Sequence, residues 1–242
     1  MRISMQAIAV IALTVFGASL AHADSLQVAP VNIEMKAVSA ATTLSLRNSG
    51  KQATKAQIRI FRWSQVAGED KLEPTKDLVA SPPMATVEPG KDFVVRIVRL
   101  NPQPAPIEET YRIIVDEIPG ANALKGSGLD LAFRYSIPVF IPSPAGGKAD
   151  LVWSSVKRDG KTVITATNNG DRHVRLADFK VADSNGKQAM IAKGLAGYVL
   201  ARSSMSWVAP GPVQMAAKGP LLITAQGDQG VINAEARAEA AP

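Results

Sequence analysis

The amino-acid sequence predicts an all-β protein made of two β-sandwich domains. Apolar and polar residues alternate along short runs, glycine, proline and asparagine interrupt these runs every ten residues or so (about 8–12), and part of the pattern occurs twice. A helical period of about 3.6 residues is nearly absent. The 242 residues are enough for one large or two ordinary domains, each with its own core.

The N-terminus has the pattern of a secretory signal peptide. A positive start at Arg2 precedes an uncharged apolar run at residues 7–20, and residues 21–23 match an A-x-A cleavage site. A membrane-spanning helix needs about 20 apolar residues, so this run is too short to be an anchor. We expect cleavage after Ala23 and an exported mature chain with no membrane span.

Strand patterns then follow in order. Residues 43–47 alternate apolar and polar side chains, and residues 93–100 and 111–118 are apolar runs rich in valine and isoleucine, which is typical of strands. In the second half, Asp-Gly at 159–160 and Asn-Gly at 185–186 predict hairpin turns. These residues accept the positive φ angles that such turns require.

A weak internal repeat relates the two halves. The stretch Leu46–Gly50 recurs as Ala166–Gly170 at an offset of 120 residues, and the Pro-Gly pair at 89–90 recurs at 210–211 with an offset of 121. The matched order and spacing predict two copies of one sandwich.

The boundary between the predicted domains lies in the Pro/Gly/Ser-rich stretch 142–147, which interrupts the strand pattern between the two copies. This division gives a signal peptide at residues 1–23, an N-terminal domain at 24–143 and a C-terminal domain at 144–242. The Ala/Glu-rich end of the chain is expected to fray.

The composition excludes several kinds of site. The chain has no cysteine and two histidines, and His22 lies in the predicted signal peptide. Disulfides, thiolate nucleophiles, cysteine-ligated metals and histidine pairs are therefore not expected in the mature chain. We predict that the protein has no metal and no cofactor.

No motif supports an enzymatic activity. His173 has Asp171 two residues away but no nucleophile elbow, so we interpret it as a solvated loop histidine. The Gly-Lys-Thr triple at 160–162 lacks the preceding glycine of a phosphate loop. Asp116 and Glu117 are neighbours on a strand, and their side chains point to opposite faces. We therefore predict that the protein is not an enzyme.

The basic residues indicate a binding cleft rather than nucleic-acid binding. The net charge is +6, but the arginines are spread out, aromatic residues are few, and the chain is expected to be exported. A guanidinium group can bind a carboxylate through two parallel hydrogen bonds, so strand arginines could form a carboxylate-binding cleft. Solvent-exposed strand faces are the alternative. Four arginines lie on predicted strands of the first half: Arg96, Arg99, Arg112 and Arg134.

Residues 129–142 contain a candidate recognition strand. Large apolar side chains at every second position would share one face of it: Leu129, Leu131, Phe133, Tyr135 and Ile137. A core strand would show the same pattern. The flexible lead-in at 126–128 and Pro138, which cannot donate a ladder hydrogen bond, favour an edge strand. An apolar edge strand invites pairing with another chain, so we predict that this segment binds a partner.

The sequence resembles the periplasmic chaperones of the chaperone–usher pilus pathway, the PapD-like family. The resemblance covers residues 26–142, while the second half matches mainly by its sandwich pattern. Singly each motif is weak, but jointly they are fairly specific. The matching stretches occur in the family's order: 28–31, 46–50, 81–83, 87–90, 109–112, 117–119 and 137–140.

The resemblance implies two immunoglobulin-like sandwiches set at an angle, with a cleft between them. It implies a chaperone that inserts a strand into a pilus subunit whose own sandwich lacks one, and that delivers the subunit to an outer-membrane usher. The inserted residues would be the five alternating side chains that begin at Leu129, with the register open by one residue. The alternative function is that of an exported two-domain structural or adhesive surface protein.

The chain departs from the family pattern at two basic residues that hold the subunit's C-terminal carboxylate. Their positions fall near Asn32 and Ile137, and neither is basic, which resembles the more divergent, archaic-type branch of the family. The resemblance also implies a cis peptide bond at Ser81-Pro82. The remaining candidates for the carboxylate anchor are Lys36, Arg96, Arg112 and Arg134.

Overall fold

The structure, a computed structural model, describes residues 26–118, 132–210 and 220–239. These residues form seventeen strands and no helix, which confirms the predicted all-β class. No part of the described chain forms a helix able to cross a membrane. The predicted signal peptide and the first residues of the recognition strand, Leu129 and Leu131, lie outside the described residues.

The first domain consists of two packed sheets. Its strands are β1 (Leu26–Ala29), β2 (Ile33–Glu34), β3 (Ala41–Asn48), β4 (Thr54–Val66), β5 (Glu69–Pro74), β6 (Leu78–Ser81), β7 (Met84–Val87), β8 (Asp92–Arg99), β9 (Glu109–Ile118) and β10 (Arg134–Ile141). One sheet has the order β1-β3-β8-β6. The other has the order β2-β10-β9-β4-β5, with β7 paired to β4. The second of these sheets carries the predicted recognition strand.

The second domain is a sandwich formed by one continuous, folded sheet. Its strands are β11 (Leu151–Arg158), β12 (Lys161–Asn168), β13 (Val174–Ala182), β14 (Gln188–Val199), β15 (Ser204–Val208), β16 (Leu221–Gly227) and β17 (Gly230–Ala238). Their order is β14-β13-β16-β17-β11-β12-β15. Strand β17 pairs with β16 in one layer and with β11 in the other, so it joins the two layers.

Each domain has its own core, built from the inward side chains of strands with period-two burial. Leu44 and Leu46 of β3 are fully buried in the first core, as are Ile164 and Ala166 of β12 in the second. The predicted strands at 43–47 and 111–118 fall within β3 and β9. Removal of these side chains from water is the main force that stabilises each sandwich.

The internal repeat corresponds to the same corner in both domains. Asn48 Oδ1 accepts a hydrogen bond from the Gly50 backbone N–H at 2.8 Å, and Asn168 Oδ1 accepts one from the Gly170 N–H at 3.0 Å. Both asparagine Nδ2 groups donate to the backbone carbonyl four residues later. A buried amide thus satisfies the turn that follows a strand in each copy.

The turns also agree with the sequence. Asp159 and Gly160 have φ angles of 50° and 73° in the hairpin between β11 and β12, as expected for a two-residue turn of this kind. The Ser81-Pro82 bond is cis, as the resemblance implied. The first domain's last strand ends at Ile141 and the second domain's first strand begins at Leu151, so residues 142–147 lie in the connection.

Candidate functional site

Strand β10 is paired on both sides along only part of its length. It pairs antiparallel with β9 from Arg134 to Ile141. On its other side it pairs with the short strand β2, in parallel, at Val139 and Phe140 only. Within the part of the chain that the structure describes, the first half of β10 therefore has an open edge.

The backbone hydrogen bonds show which groups point to that edge. Phe133 O accepts from the Glu117 N–H of β9 at 2.9 Å, whereas Phe140 O accepts from the Met35 N–H on the opposite side, also at 2.9 Å. Because alternate residues of a strand turn their backbone groups to opposite sides, Arg134, Ser136 and Pro138 face the open edge. The missing N–H of Pro138 therefore removes no hydrogen bond to β9, which agrees with the predicted edge strand.

The side chains of the recognition strand change from exposed to buried along the chain. Phe133 is 37% exposed, while Ile137 is 2% exposed within the first core. Tyr135 lies between them: it packs against the core, and its hydroxyl donates a hydrogen bond to the Leu26 carbonyl. Ile137 thus belongs to the protein's own core, which corrects its assignment to the partner-binding face.

An aromatic cluster joins the two domains. Trp63 and Phe140 of the first domain and Tyr198 and Leu200 of the second form one buried group. The Trp63 and Tyr198 rings meet edge to face, with centroids 5.5 Å apart and planes at 86°. Such rings bury a large apolar area in a fixed geometry, so this cluster holds the domains together.

His173 is part of this interface, not a solvated loop residue as predicted from the sequence. Its ring is buried and stacks on Phe140, with centroids 3.5 Å apart. Its Nδ1 lies 2.7 Å from Glu108 Oε2, and the same carboxylate oxygen accepts from the His173 backbone N–H at 2.8 Å. The predicted neighbour Asp171 instead forms an ion pair with Arg202.

Arg112 packs against the side of the aromatic cluster. Its guanidinium carbon is 3.7 Å from the Trp63 ring centroid and 5.5 Å from that of Tyr198. Burial lowers the pKa of Arg112, and the negative charge of Asp70 partly opposes this effect. Among the ion pairs of the described residues, none involves Arg112. A cation held on an aromatic face, with no carboxylate within ion-pair distance, is suited to bind one from outside.

The other candidate anchors lie elsewhere. Arg134 is an exposed residue that forms an ion pair with Asp116 on the cleft-facing side of the same sheet. Arg96 lies on β8 of the opposite sheet and points outward, and Lys36 is exposed in the loop after β2. Arg99 is buried and pairs with a carboxylate of the same domain. The four strand arginines therefore do not converge on one site.

Asp116 is bound by two arginines. Arg59 Nη2 donates to its carboxylate at 2.6 Å, and Arg134 Nε donates to the other oxygen. Burial by itself raises the pKa of Asp116, but the hydrogen bonds and positive charges of the two arginines outweigh burial, so its pKa is lowered. These three side chains, with Phe133, line a shallow cavity of about 470 Å³ beside the recognition strand.

Sequence reasoning missed the residues that connect the domains. The Gln65 side chain hydrogen-bonds the second domain's backbone at Tyr198 and Leu200, and Arg172 lies 3.3 Å from Glu34 across the domains. A cavity of about 570 Å³ opens beside this ion pair. An aromatic residue such as Trp63 is typical of interfaces, but nothing in the sequence around Gln65 marks it. No cluster of metal-binding side chains occurs among the described residues.

The fold and site define a two-domain β-sandwich protein in which, among the described residues, one strand edge beside the interdomain contact is open. The family model for "Pili and flagellar-assembly chaperone, PapD N-terminal domain" matches residues 25–147. The chain belongs to this family of pilus-assembly chaperones, as its sequence resemblance implied. No curated protein sequence matches the chain.

Solved structures of pilus chaperones share the fold. The CsuC–CsuE chaperone–tip subunit pre-assembly complex, from archaic chaperone–usher Csu pili of Acinetobacter baumannii, is 23% identical, covers 90% of this chain and 100% of its own, and has a TM-score of 0.68. The YadV chaperone is 19% identical over 88% of this chain and 98% of its own, with a TM-score of 0.61. The Salmonella enterica SafB chaperone in complex with the SafA pilin is 17% identical over 88% and 96%, with a TM-score of 0.61.

Proposed function

We propose that this protein is a periplasmic chaperone that binds incomplete pilus subunits by strand donation and delivers them to an outer-membrane usher. The observation that carries the proposal is the open edge of β10 beside the interdomain cleft. The relatives crystallised with a tip subunit or a pilin support a pilus subunit as the partner. The predicted signal peptide supports export to the periplasm. The chemistry is binding alone, with no catalytic step.

The donor face consists of alternating apolar side chains that precede the buried half of β10. Phe133 and Tyr135 lie on the core-facing side of the strand, and the sequence pattern places Leu129 and Leu131 on the same side. A subunit that lacks one strand exposes an apolar groove, and these four side chains would fill it. Ile137 holds the strand in the chaperone's own core.

The open backbone edge supplies affinity that does not depend on the subunit's sequence. Arg134 and Ser136 each turn one N–H and one C=O group to this edge. A subunit strand that pairs here forms ladder hydrogen bonds, while the apolar side chains determine its register. A shift of one residue would place Arg134 in the groove instead of Phe133.

Arg112 is the proposed anchor for the subunit's C-terminal carboxylate. It lies on the neighbouring strand β9, opposite Pro138, where the open half of β10 ends. A subunit strand that pairs with the open edge and ends at Arg112 must run in the same direction as β10. The guanidinium would then form charge-assisted hydrogen bonds with the terminal carboxylate, each worth about 1.5–3 kcal/mol.

Co-expression with a pilus subunit tests this proposal. Phe133→Asp places a charge in the subunit's groove, so we expect loss of subunit recovery from the periplasm while the chaperone stays folded. Val94→Asp is the matched control, because Val94 is an exposed apolar residue on the opposite sheet. Undiminished recovery with Phe133→Asp would rule out strand donation at this edge and favour the structural or adhesive alternative.

The anchor is tested separately. Arg112→Gln removes the charge, and we expect the affinity for the subunit to fall about 10–100-fold, as the loss of one charge-assisted hydrogen bond predicts. Arg96→Gln, an exposed arginine of the opposite sheet, is the control and should leave the affinity unchanged. Equal affinities of the two variants would remove Arg112 from the site.

A further inference from the structure

Besides the ring contacts of Tyr198, a buried amide, the side chain of Gln65, connects the second domain to the neighbourhood of Arg112. Gln65 on β4 is 8% exposed. Its Oε1 accepts a hydrogen bond from the Leu200 backbone N–H at 2.9 Å, and its Nε2 donates to the Tyr198 carbonyl at 2.8 Å. Because a buried amide is costly to leave unpaired, these bonds fix β4 relative to the second domain.

The same amide also holds Asp70. Gln65 Nε2 donates a further hydrogen bond to Asp70 Oδ1 at 2.9 Å. That oxygen accepts another from the indole Nε1 of Trp63, also at 2.9 Å. The carboxylate is thus fixed between the amide and the indole. Since the Arg112 guanidinium lies on the Trp63 ring, the orientation of that ring determines where the guanidinium points.

The hairpin of β4 and β5 has a second attachment to the other domain at Gly68. The Gly68 carbonyl accepts a hydrogen bond from the Ser206 backbone N–H at 3.0 Å. Gly68 has a φ angle of 82°, and a Cβ atom there would lie 2.4 Å from Ser206 Oγ. Only glycine fits this contact. The hairpin is therefore held at Gln65 in β4 and at Gly68 in the turn, two residues before Asp70.

We propose that Gln65 is a positioning residue for carboxylate binding. It connects the second domain to Asp70 and Trp63, and these two side chains set the guanidinium of Arg112 in its binding position. This inference rests on the proposed role of Arg112. It means that recognition of a terminal carboxylate requires the second domain, although the guanidinium belongs to the first.

Binding of two peptides to the full-length protein tests this inference by calorimetry. The probe is an N-acetylated octapeptide of alternating valine and threonine that ends in either a free carboxylate or an amide. We expect the wild-type protein to bind the acid about tenfold more tightly, which corresponds to about 1.4 kcal/mol. Gln65→Met has a similar volume but loses all three hydrogen bonds. It should reduce the preference below about threefold and leave the affinity for the amide unchanged.

A control and a second measurement separate positioning from general damage. Gln188→Met alters an exposed glutamine of β14 and should keep the tenfold (about 1.4 kcal/mol) preference. In the peptide-free protein, stacking on Trp63 should shift the Arg112 Nε–Hε NMR resonance upfield, and Gln65→Met should move it towards that of exposed Arg96. If Gln65→Met does not fold, Gln65→Glu is measured instead, because it keeps the acceptor for Leu200 and loses the donor to Asp70.

The outcomes distinguish this inference from the proposed function. Equal binding of the acid and the amide by the wild-type protein would overturn the anchor role of Arg112. A wild-type preference that persists in the Gln65 variant, together with an unchanged Arg112 resonance, would overturn the positioning role alone. Loss of both the preference and the upfield shift supports it.

Discussion

The two halves of strand β10 share one alternating sequence pattern but have different surroundings. From Ile137 to Ile141 the inward side chains are fully buried, and β2 covers part of the second edge. From Arg134 to Ser136, and at Phe133 just before the strand, the side chains are exposed or half-buried, and one edge is open among the described residues. The difference shows that the alternating pattern predicts a strand face but not what covers that face.

The buried half makes the open half usable. An isolated apolar edge strand would be an aggregation hazard. Here the second half of β10 is held by the core, by β9 and by the interdomain stack of Phe140 on His173. The open half therefore extends from a well-packed base, which would lower the entropy lost if a partner strand paired with it as proposed.

Truncation of a side chain in the buried half should have the largest effect on stability. Ile137→Ala leaves a cavity in the first core, so we expect the free energy of unfolding to fall by about 2–5 kcal/mol in urea denaturation. The matched variant Phe133→Ala, four residues earlier on the same side, should cost about 1 kcal/mol or less. Equal losses from the two variants would contradict the division of β10 into a buried and an open half.

The division of β10 was only partly predictable from the sequence. The alternation and Pro138 indicated an edge strand because both are local features. The point at which the second edge becomes covered depends on β2, which lies about a hundred residues earlier and pairs with β10 at only two positions. A contact so short and so distant in sequence leaves no periodic signal, so the end of the open half could not be placed.

The interdomain site shows the same limit. The Asn-x-Gly corners of the two domains were predicted from their spacing, because each amide acts within its own turn. His173 pairs with Glu108, and Gln65 with the backbone near residue 200. Both pairs are far apart in the chain and join two domains. Sequence alone could also not show that Arg112 faces the cleft while Arg96 points outward from the other sheet.

The middle of the strand should have an intermediate effect. Tyr135→Phe removes the hydroxyl that donates to the Leu26 carbonyl and keeps the ring on the donor face. Burial, aided by the charge of Glu117, raises the pKa of Tyr135, so the hydroxyl remains a donor at neutral pH. We expect a loss of about 0.5–1.5 kcal/mol in urea denaturation with unchanged subunit recovery. A loss of recovery would show that the hydroxyl itself contacts the subunit.

The smallest effect concerns the charged face of the open half, and it depends on pH. The pKa of Asp116 is lower in the folded protein than in the unfolded chain, because Arg134 and Arg59 bind the ionised form. The folded state therefore binds this proton less readily. The resulting stability is fully present above the ordinary aspartate pKa of about 3.9 and is lost as the pH falls through the lower folded value.

Asp116→Asn should therefore destabilise the protein at pH 7 and have progressively less effect in acid. Arg134 is 68% exposed and Arg59 42%, so screening by solvent limits the loss to about 0.5–1 kcal/mol. Asp92→Asn removes an ion pair that is more than half exposed on both sides and should cost less at pH 7. Urea denaturation at pH 7, 5 and about 3 measures the difference from wild type. If the loss in the free energy of unfolding stays constant down to the lowest pH, Asp116 acts through packing. The open half of β10 would then be stabilised by packing contacts rather than by ion pairs.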